Sequence, residues 1–230
     1  MAMNEAIALI PGAGGQGWLW HLVEADLRAR GFDAVAMDLP AADPACGLPA
    51  YADTVVAAIG DRTDVTLVAQ SMGGFTAPLV WQRVPTRGVV FVNAMIPVPG
   101  ETPGDWWGHV GSHDALVAAA HERGYTTEFD DDVYFYHDVP PDLVAFMKAN
   151  PSPETDTVFG DPCTFTSWPS EITVVAGRDD RLFPLELQQR VARERVGREP
   201  VVVRGGHLAA LSHPAELADA IAGSIGRAGR

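Results

Sequence analysis

The fourteen residues Val65–Pro78, VTLVAQSMGGFTAP, decide the fold of this chain. Val65–Ala69 is a short apolar run rich in β-branched residues, the pattern of a buried strand, and a helical pattern begins at Met72. Ser71 sits at the junction, with Ala69 two positions before it and Gly73 two positions after. A strand that turns this abruptly into a helix has no room for a bulky side chain at either flank, and it leaves the serine standing at the top of the sheet. Alanine at the first small position departs from the GxSxG pattern. The same five residues also fit an ordinary strand-to-helix turn with Ser71 as the N-cap, so the rest of the chain must decide between the two.

Outward from this stretch, five more apolar runs bounded by Gly, Pro or Asp predict strands at Ala6–Ile10, Ala34–Met37, Val89–Val92, Ile172–Ala176 and Pro200–Val203. Between the strands, helices are expected over Trp18–Arg30, Pro49–Ile59, Met72–Val84, Pro184–Val196 and from about Pro214 onward; Gly31, Gly60 and Gly197 stop three of them. This alternation implies a mainly parallel sheet of about six strands covered by helices on both faces, an α/β class. One interval breaks the rhythm: from Ala94 to Pro169 the strand signal disappears while prolines and aromatics multiply. A structureless loop of that length is implausible, so residues 94–169 are expected to form a small helical cap, with helices near His113–Arg123 and Pro141–Ala149. Residues 1–93 and 170–230 then form the core, and the cap, inserted after the fourth strand, lies over the strand ends where open α/β sheets bind ligands.

A serine hydroxyl is a weak nucleophile until a base takes its proton, and that base needs a partner to fix its tautomer. Both types follow in the chain. VVAGRDDRLFP after the fifth strand carries Asp179 and Asp180, and VVVRGGHLAALSHP after the sixth carries His207 and His213. The loops leave the same sheet edge that presents Ser71. His207 is preferred because the pair Gly205–Gly206 lets its loop turn sharply, whereas His213 before Pro214 suits the start of the last helix. His109 and His113 are four apart, but Gly111 lies between them and no third ligand has matching spacing, so no metal site is expected. Asp130–Asp132 reads as a solvated turn.

The stretch LIPGAGGQGWLW, Leu9–Trp20, offers a competing signal. Gly12, Gly14 and Gly17 spell GxGxxG after a strand, and Asp38 follows at the spacing of a dinucleotide-binding acid. A dehydrogenase of the Tyr–Lys type would also need a lysine four residues after a tyrosine. Lys148 is the only lysine, and none of Tyr51, Tyr125, Tyr134 or Tyr136 stands in that relation to it. The glycine turn can equally hold backbone N–H groups ready for a developing oxyanion, which makes Asp38 a structural turn acid.

Composition narrows the partners. A net charge of −14 argues against nucleic acid and anionic membranes, both of which require clustered Lys and Arg. Two distant cysteines, Cys46 and Cys163, suggest neither a disulfide framework nor a zinc site and fit a reducing, cytoplasmic setting. The apolar run near the N-terminus stops at Pro11, too short for a signal peptide or membrane span. A monomer or homodimer without cofactor is the expectation.

Taken together, these motifs resemble the α/β-hydrolase superfamily over nearly the whole chain. The family's acid loop, GxxDxxxP, is matched by Gly177, Asp180 and Pro184, which favours Asp180 over its neighbour Asp179. PGAGGQGWLW is similar to the HGxxxxxWxW stretch of the plant methylesterase and hydroxynitrile lyase branch, with Pro11 in place of its histidine. The resemblance implies an α/β-hydrolase fold, a Ser71–Asp180–His207 triad, and an oxyanion hole built from the backbone N–H groups of Ala13 and Met72. It also implies an EC 3.1.1-type carboxylesterase with an acyl-enzyme intermediate; the aromatics of residues 94–169, some of which must line the space above Ser71, make the expected substrate a small or medium apolar or aromatic ester. The plant lyases carry a threonine and a lysine where this chain has Gly12 and Leu208, so cyanohydrin cleavage is disfavoured. A small-molecule receptor on the same fold is the other alternative. Gly12, Trp106, Trp107, Tyr134 and Phe146 are the expected pocket residues.

Overall fold

The computed structural model describes residues 5–227. Six strands, β1 (Ala6–Ile10), β2 (Asp33–Ala36), β3 (Val65–Gln70), β4 (Thr86–Val92), β5 (Ile172–Gly177) and β6 (Val201–Val203), form one parallel sheet in the order β2-β1-β3-β4-β5-β6. The chain runs outward from β1 to β2 and then crosses back to β3. That reversal makes the carboxyl ends of β1 and β3, paired through Ile10 and Ala69, the natural crevice of the sheet.

Alternation along each strand builds two cores. In β1, Ala6, Ala8 and Ile10 join one buried cluster and Ile7 and Leu9 the other; in β4, Val89 and Phe91 divide from Val90 and Val92 in the same way. Helices α1 (His21–Ala29) and α10 (Pro214–Arg227) pack together over the second cluster. Helices α2 (Leu48–Ile59), α3 (Gly73–Trp81) and α8 (Leu185–Val196) contribute to the first. The expected helix Trp18–Arg30 is divided: a 3-10 turn over Gly17–Trp20 precedes α1, because the Gly17 N–H is held at 2.8 Å by the Asp38 carboxylate and Gly17 lies against the Met37 backbone. Helix α3 also stops three residues earlier than its pattern predicts.

Between β4 and β5 the chain forms α4 (Pro103–His109), α5 (Ser112–Arg123), α6 (Asp131–Tyr134) and α7 (Pro141–Ala149), then a 3-10 turn at Asp156–Gly160. Trp106, Val110, Val158, Cys163 and Phe165 from this interval are buried in the same cluster as β1, β3 and β4, whereas α7 buries no residue fully. A short helix α9 (Ala209–Ser212) follows β6. Among the described residues, no helix is long and apolar enough to cross a membrane.

Candidate active site

Ser71 lies directly after β3 with φ at +51°, a left-handed conformation that costs a non-glycine residue about 1–2 kcal/mol. Surrounding backbone holds it there. The Ser71 N–H bonds the Val92 carbonyl at 3.2 Å, and the Ser71 carbonyl accepts from Gly74 and Met95, both at 3.0 Å. A Cβ on Gly73 would stand 2.5 Å from the Pro11 carbonyl oxygen, and one on Gly74 would stand 2.1 Å from that of Met95. Gly12 is equally constrained, since a Cβ there would meet Ser71 Cβ at 2.7 Å.

The loops after β5 and β6 bring two further groups to Ser71. His207 Nε2 is 3.0 Å from Ser71 Oγ, and His207 Nδ1 is 2.9 Å from Asp180 Oδ2. All three side chains are buried. Asp180 is held from its other side, because Oδ1 accepts the N–H groups of Leu182 and Phe183, both at 2.9 Å. Asp179 stands away from the histidine: it is half-exposed and accepts the Gly205 N–H at 3.2 Å. The rings of Phe135 and Phe183 meet His207 edge-on, at 5.4 and 5.1 Å between centroids. His213 lies off this array, its ring beside Ser212 and its carbonyl accepting the Leu217 N–H in α10.

Two residues that the motifs did not single out for a site role hold the histidine loop. Asn93 is fully buried with φ at +46°; its amide donates to the carbonyls of Gly206 at 2.9 Å and His207 at 3.1 Å, and its oxygen accepts the Gly177 N–H at 2.6 Å. It thereby ties the carboxyl ends of β4 and β5 to the turn after β6. Asp138, between α6 and α7, accepts the Gly206 N–H at 2.6 Å. Gly205, with φ at +107°, supplies the sharp turn just before. An asparagine immediately after a strand in FVNA was the available signal for Asn93. Asp138 carried none, because its partner is 68 residues away.

Ala13 and Met72 both line a cavity of about 630 Å³ that opens over Ser71 and His207. Among the described residues, neither gives its backbone N–H to a protein acceptor. The walls include Leu19, Met95, Trp107, Phe135, Phe159 and Leu182. Of the other expected pocket residues, Gly12 packs behind the serine turn rather than in the wall. Trp106 is buried with its indole N–H on the Ile96 carbonyl at 3.1 Å, and Tyr134 is buried with its hydroxyl on the Thr126 carbonyl at 2.7 Å. Phe146 is exposed on α7, stacked on Trp18 at 4.4 Å. Helix periodicity explains the difference: Met147 and Lys148, the next two residues of α7, are the ones that reach the cavity. The Lys148 ammonium is paired with Asp132 at 2.5 Å and lies over the Tyr136 ring.

The glycine turn is poorly suited to a pyrophosphate. Its Gly17 N–H is taken by Asp38 and its Gly14 N–H by Glu154, at 2.8 and 2.9 Å, so two carboxylates occupy the donors that a phosphate would need. Burial pushes the Glu154 carboxyl above its usual range, despite the hydrogen bonds that it receives from Tyr51 and Gly14. Among the described residues, no group of three His, Cys, Asp or Glu side chains is arranged to hold a metal ion. His109 instead bonds Glu101 at 2.7 Å.

A family model described as "Alpha/beta hydrolase family" matches residues 7–220. The chain is 34% identical over 116 residues to the probable esterase PIR7A of Oryza sativa, a match that spans 44% of this chain and 43% of the rice protein, less than half its length. It is 28% identical over 243 residues to the probable hydrolase R7 of a Phoma species, covering 96% of this chain and 98% of that one. Among solved structures, the methylesterase protein MES16 from Arabidopsis superposes with a TM-score of 0.75 at 17% identity, covering 97% of this chain and 99% of that one. At that identity the likeness concerns the fold.

Proposed function

We propose, since the chain belongs to the alpha/beta hydrolase family, that it is a serine hydrolase of carboxylic esters, with Ser71 as nucleophile, His207 as general base and acid, and Asp180 as the group that orients the imidazole. One observation carries this: hydroxyl, imidazole and carboxylate follow one another at 3.0 and 2.9 Å, and Ser71 and His207 line a cavity shared with Ala13 and Met72, whose backbone N–H groups have no protein acceptor among the described residues.

In the cycle, Ser71 Oγ attacks the ester carbonyl carbon while its proton passes to His207 Nε2. The carbonyl π-electrons move onto oxygen, and the Ala13 and Met72 N–H groups stabilise that oxyanion; one such donor typically contributes about 3 kcal/mol in the transition state. Asp180 stabilises the imidazolium without taking its proton. The tetrahedral intermediate collapses, the bond to the alcohol oxygen breaks, and the alcohol leaves with the proton from His207. Water then attacks the acyl-enzyme, giving its proton to His207, and a second collapse releases the carboxylic acid and returns the proton to Ser71.

The walls of the cavity favour an apolar ester with an aromatic or branched aliphatic group, and the carboxylates of Glu154 and Asp131 in its lining, where the Lys148 ammonium is already paired with Asp132, disfavour an anionic one. Residues 94–169 serve as the cap that shapes this preference. Turnover on a panel of p-nitrophenyl and methyl esters tests the assignment. Ser71→Ala is expected to lose activity by a factor of about 10⁴ or more. Equal rates in the two proteins would refute the enzymatic reading, and one round of release without turnover would point to a receptor.

A further inference from the structure

The segment that leads from α7 back toward β5 runs against the glycine turn after β1, and its polar contacts converge on Gly14. Glu154 accepts the Gly14 N–H at 2.9 Å, and the Ser152 hydroxyl donates to the Gly14 carbonyl. The fit is close: a Cβ on Gly14 would stand 2.8 Å from the Ser152 carbonyl oxygen. The segment is itself tied down, since Asn150 accepts from the Gln16 amide at 2.9 Å and the Thr155 N–H bonds the Ala41 carbonyl at 3.1 Å. Glu154 also receives the hydroxyl of Tyr51, which is fully buried in α2. On the other side of Ala13, the Gly12 carbonyl accepts the Gly15 N–H at 3.1 Å.

The Ala13 N–H therefore lies between two anchored points. Its own peptide is held through the Gly12 carbonyl, and the following peptide through the Gly14 N–H. We infer that Glu154, assisted by Ser152, is a positioning residue that orients the Ala13 N–H toward the oxyanion of an ester under attack; this rests on the esterase reading above. An oxyanion donor acts only when it stands about 2.7–3.1 Å from where the charged oxygen forms, so a small rotation of this peptide weakens the transition state and leaves substrate binding nearly untouched. Glu154 acts through its capacity to accept, because the reaction asks no proton of it. A neutral isostere that still accepts from Gly14 should do the same work.

The test is steady-state hydrolysis of a p-nitrophenyl ester by Glu154→Ala, Glu154→Gln and Ser152→Ala, with Ser71→Ala in parallel. Glu154→Ala should lower kcat about 30-fold, part of the 100- to 1,000-fold that removal of a whole donor costs, with KM within about twofold. A trifluoromethyl ketone, whose adduct with the serine carries the same oxyanion, should bind that variant more weakly by the same factor. Glu154→Gln should recover most of kcat, and Ser152→Ala should lose about fivefold. The inference is overturned if Glu154→Ala keeps kcat, if its loss lies in KM alone, or if Glu154→Gln is as impaired as the alanine variant. Should Glu154→Ala fail to fold, the glutamine and Ser152 variants decide by the same criteria. Activity that survives Ser71→Ala would refute the esterase reading itself, whereas Ser71-dependent activity with normal kcat in Glu154→Ala refutes this inference only.

Discussion

Replacing Asp180 with asparagine exchanges one carboxylate oxygen for an amide NH2, and the surroundings dictate which. Oδ1 accepts two backbone N–H groups, from Leu182 and Phe183, each at 2.9 Å, so the asparagine carbonyl must take that place. The NH2 is then turned toward His207 Nδ1, 2.9 Å away, which has to become an acceptor. The neutral imidazole is left with its proton on Nε2, facing Ser71 Oγ at 3.0 Å, and cannot receive the serine proton. A wrong-tautomer histidine in such a triad lowers kcat by about 10⁴, which is about 5 kcal/mol of transition-state stabilisation. Packing is preserved, so circular dichroism should be that of the wild type. Asp179→Asn, at a half-exposed position that faces Gly205 and Arg178, should stay within about threefold in the same p-nitrophenyl ester assay. An Asp180→Asn variant within tenfold of wild type, or an Asp179→Asn variant equally impaired, would refute the assignment of the acid.

Other perturbations probe the scaffold. Gly74→Ala places a methyl group 2.1 Å from the Met95 carbonyl oxygen, where backbone must move; a loss of about 3 kcal/mol, or roughly 10 °C in Tm, is expected by thermal denaturation. Arg195→Met leaves the buried Glu101 carboxylate without its guanidinium and should cost about 3–5 kcal/mol in urea unfolding at pH 7. Burial pushes the Glu101 carboxyl up, but its hydrogen bonds to Arg195 and His109 outweigh that and hold it below the usual range. The pair's stabilisation is therefore complete above the ordinary carboxylate pKa and is lost as pH falls through the lowered one, so the deficit of the variant should narrow in acid. Burial pushes the Cys163 thiol up to about 12, and its sulfur donates to the Phe75 carbonyl. A disulfide reagent at pH 8 should accordingly read at most one thiol in the native protein and two after unfolding.

The sheet was legible because its central strands are buried on both faces and so read as unbroken apolar runs: β1 falls where the sequence predicts it, and β3 and β5 extend by one residue. β4 begins three residues before its predicted start because Thr86 and Gly88 pair with β3, with Arg87 bulged between them, without being apolar. Serine, acid and histidine were legible because Ser71 follows β3 directly and Asp180 and His207 lie in the short loops just after β5 and β6, so a correct strand order brings them to one edge. Helix α4 was not, since Gly104 and Gly108 erase its periodicity while Thr102 caps it locally by accepting the Asp105 N–H. Pocket residues were the least legible. Aromatic content marks residues 94–169 as able to line a cavity, but only tertiary packing turns Trp107 inward and Trp106 into the core. The tie from Glu154 to Gly14 spans 140 residues, and no local pattern announces it.

The central claim is that Ser71 is the acyl-accepting nucleophile of an esterase, and covalent trapping tests it most directly. A fluorophosphonate should add once per chain, as read by intact mass, with the adduct mapped to the peptide containing Ser71 and ester turnover lost in proportion. Stoichiometric labelling that persists in Ser71→Ala, or full turnover in a completely labelled protein, would contradict it.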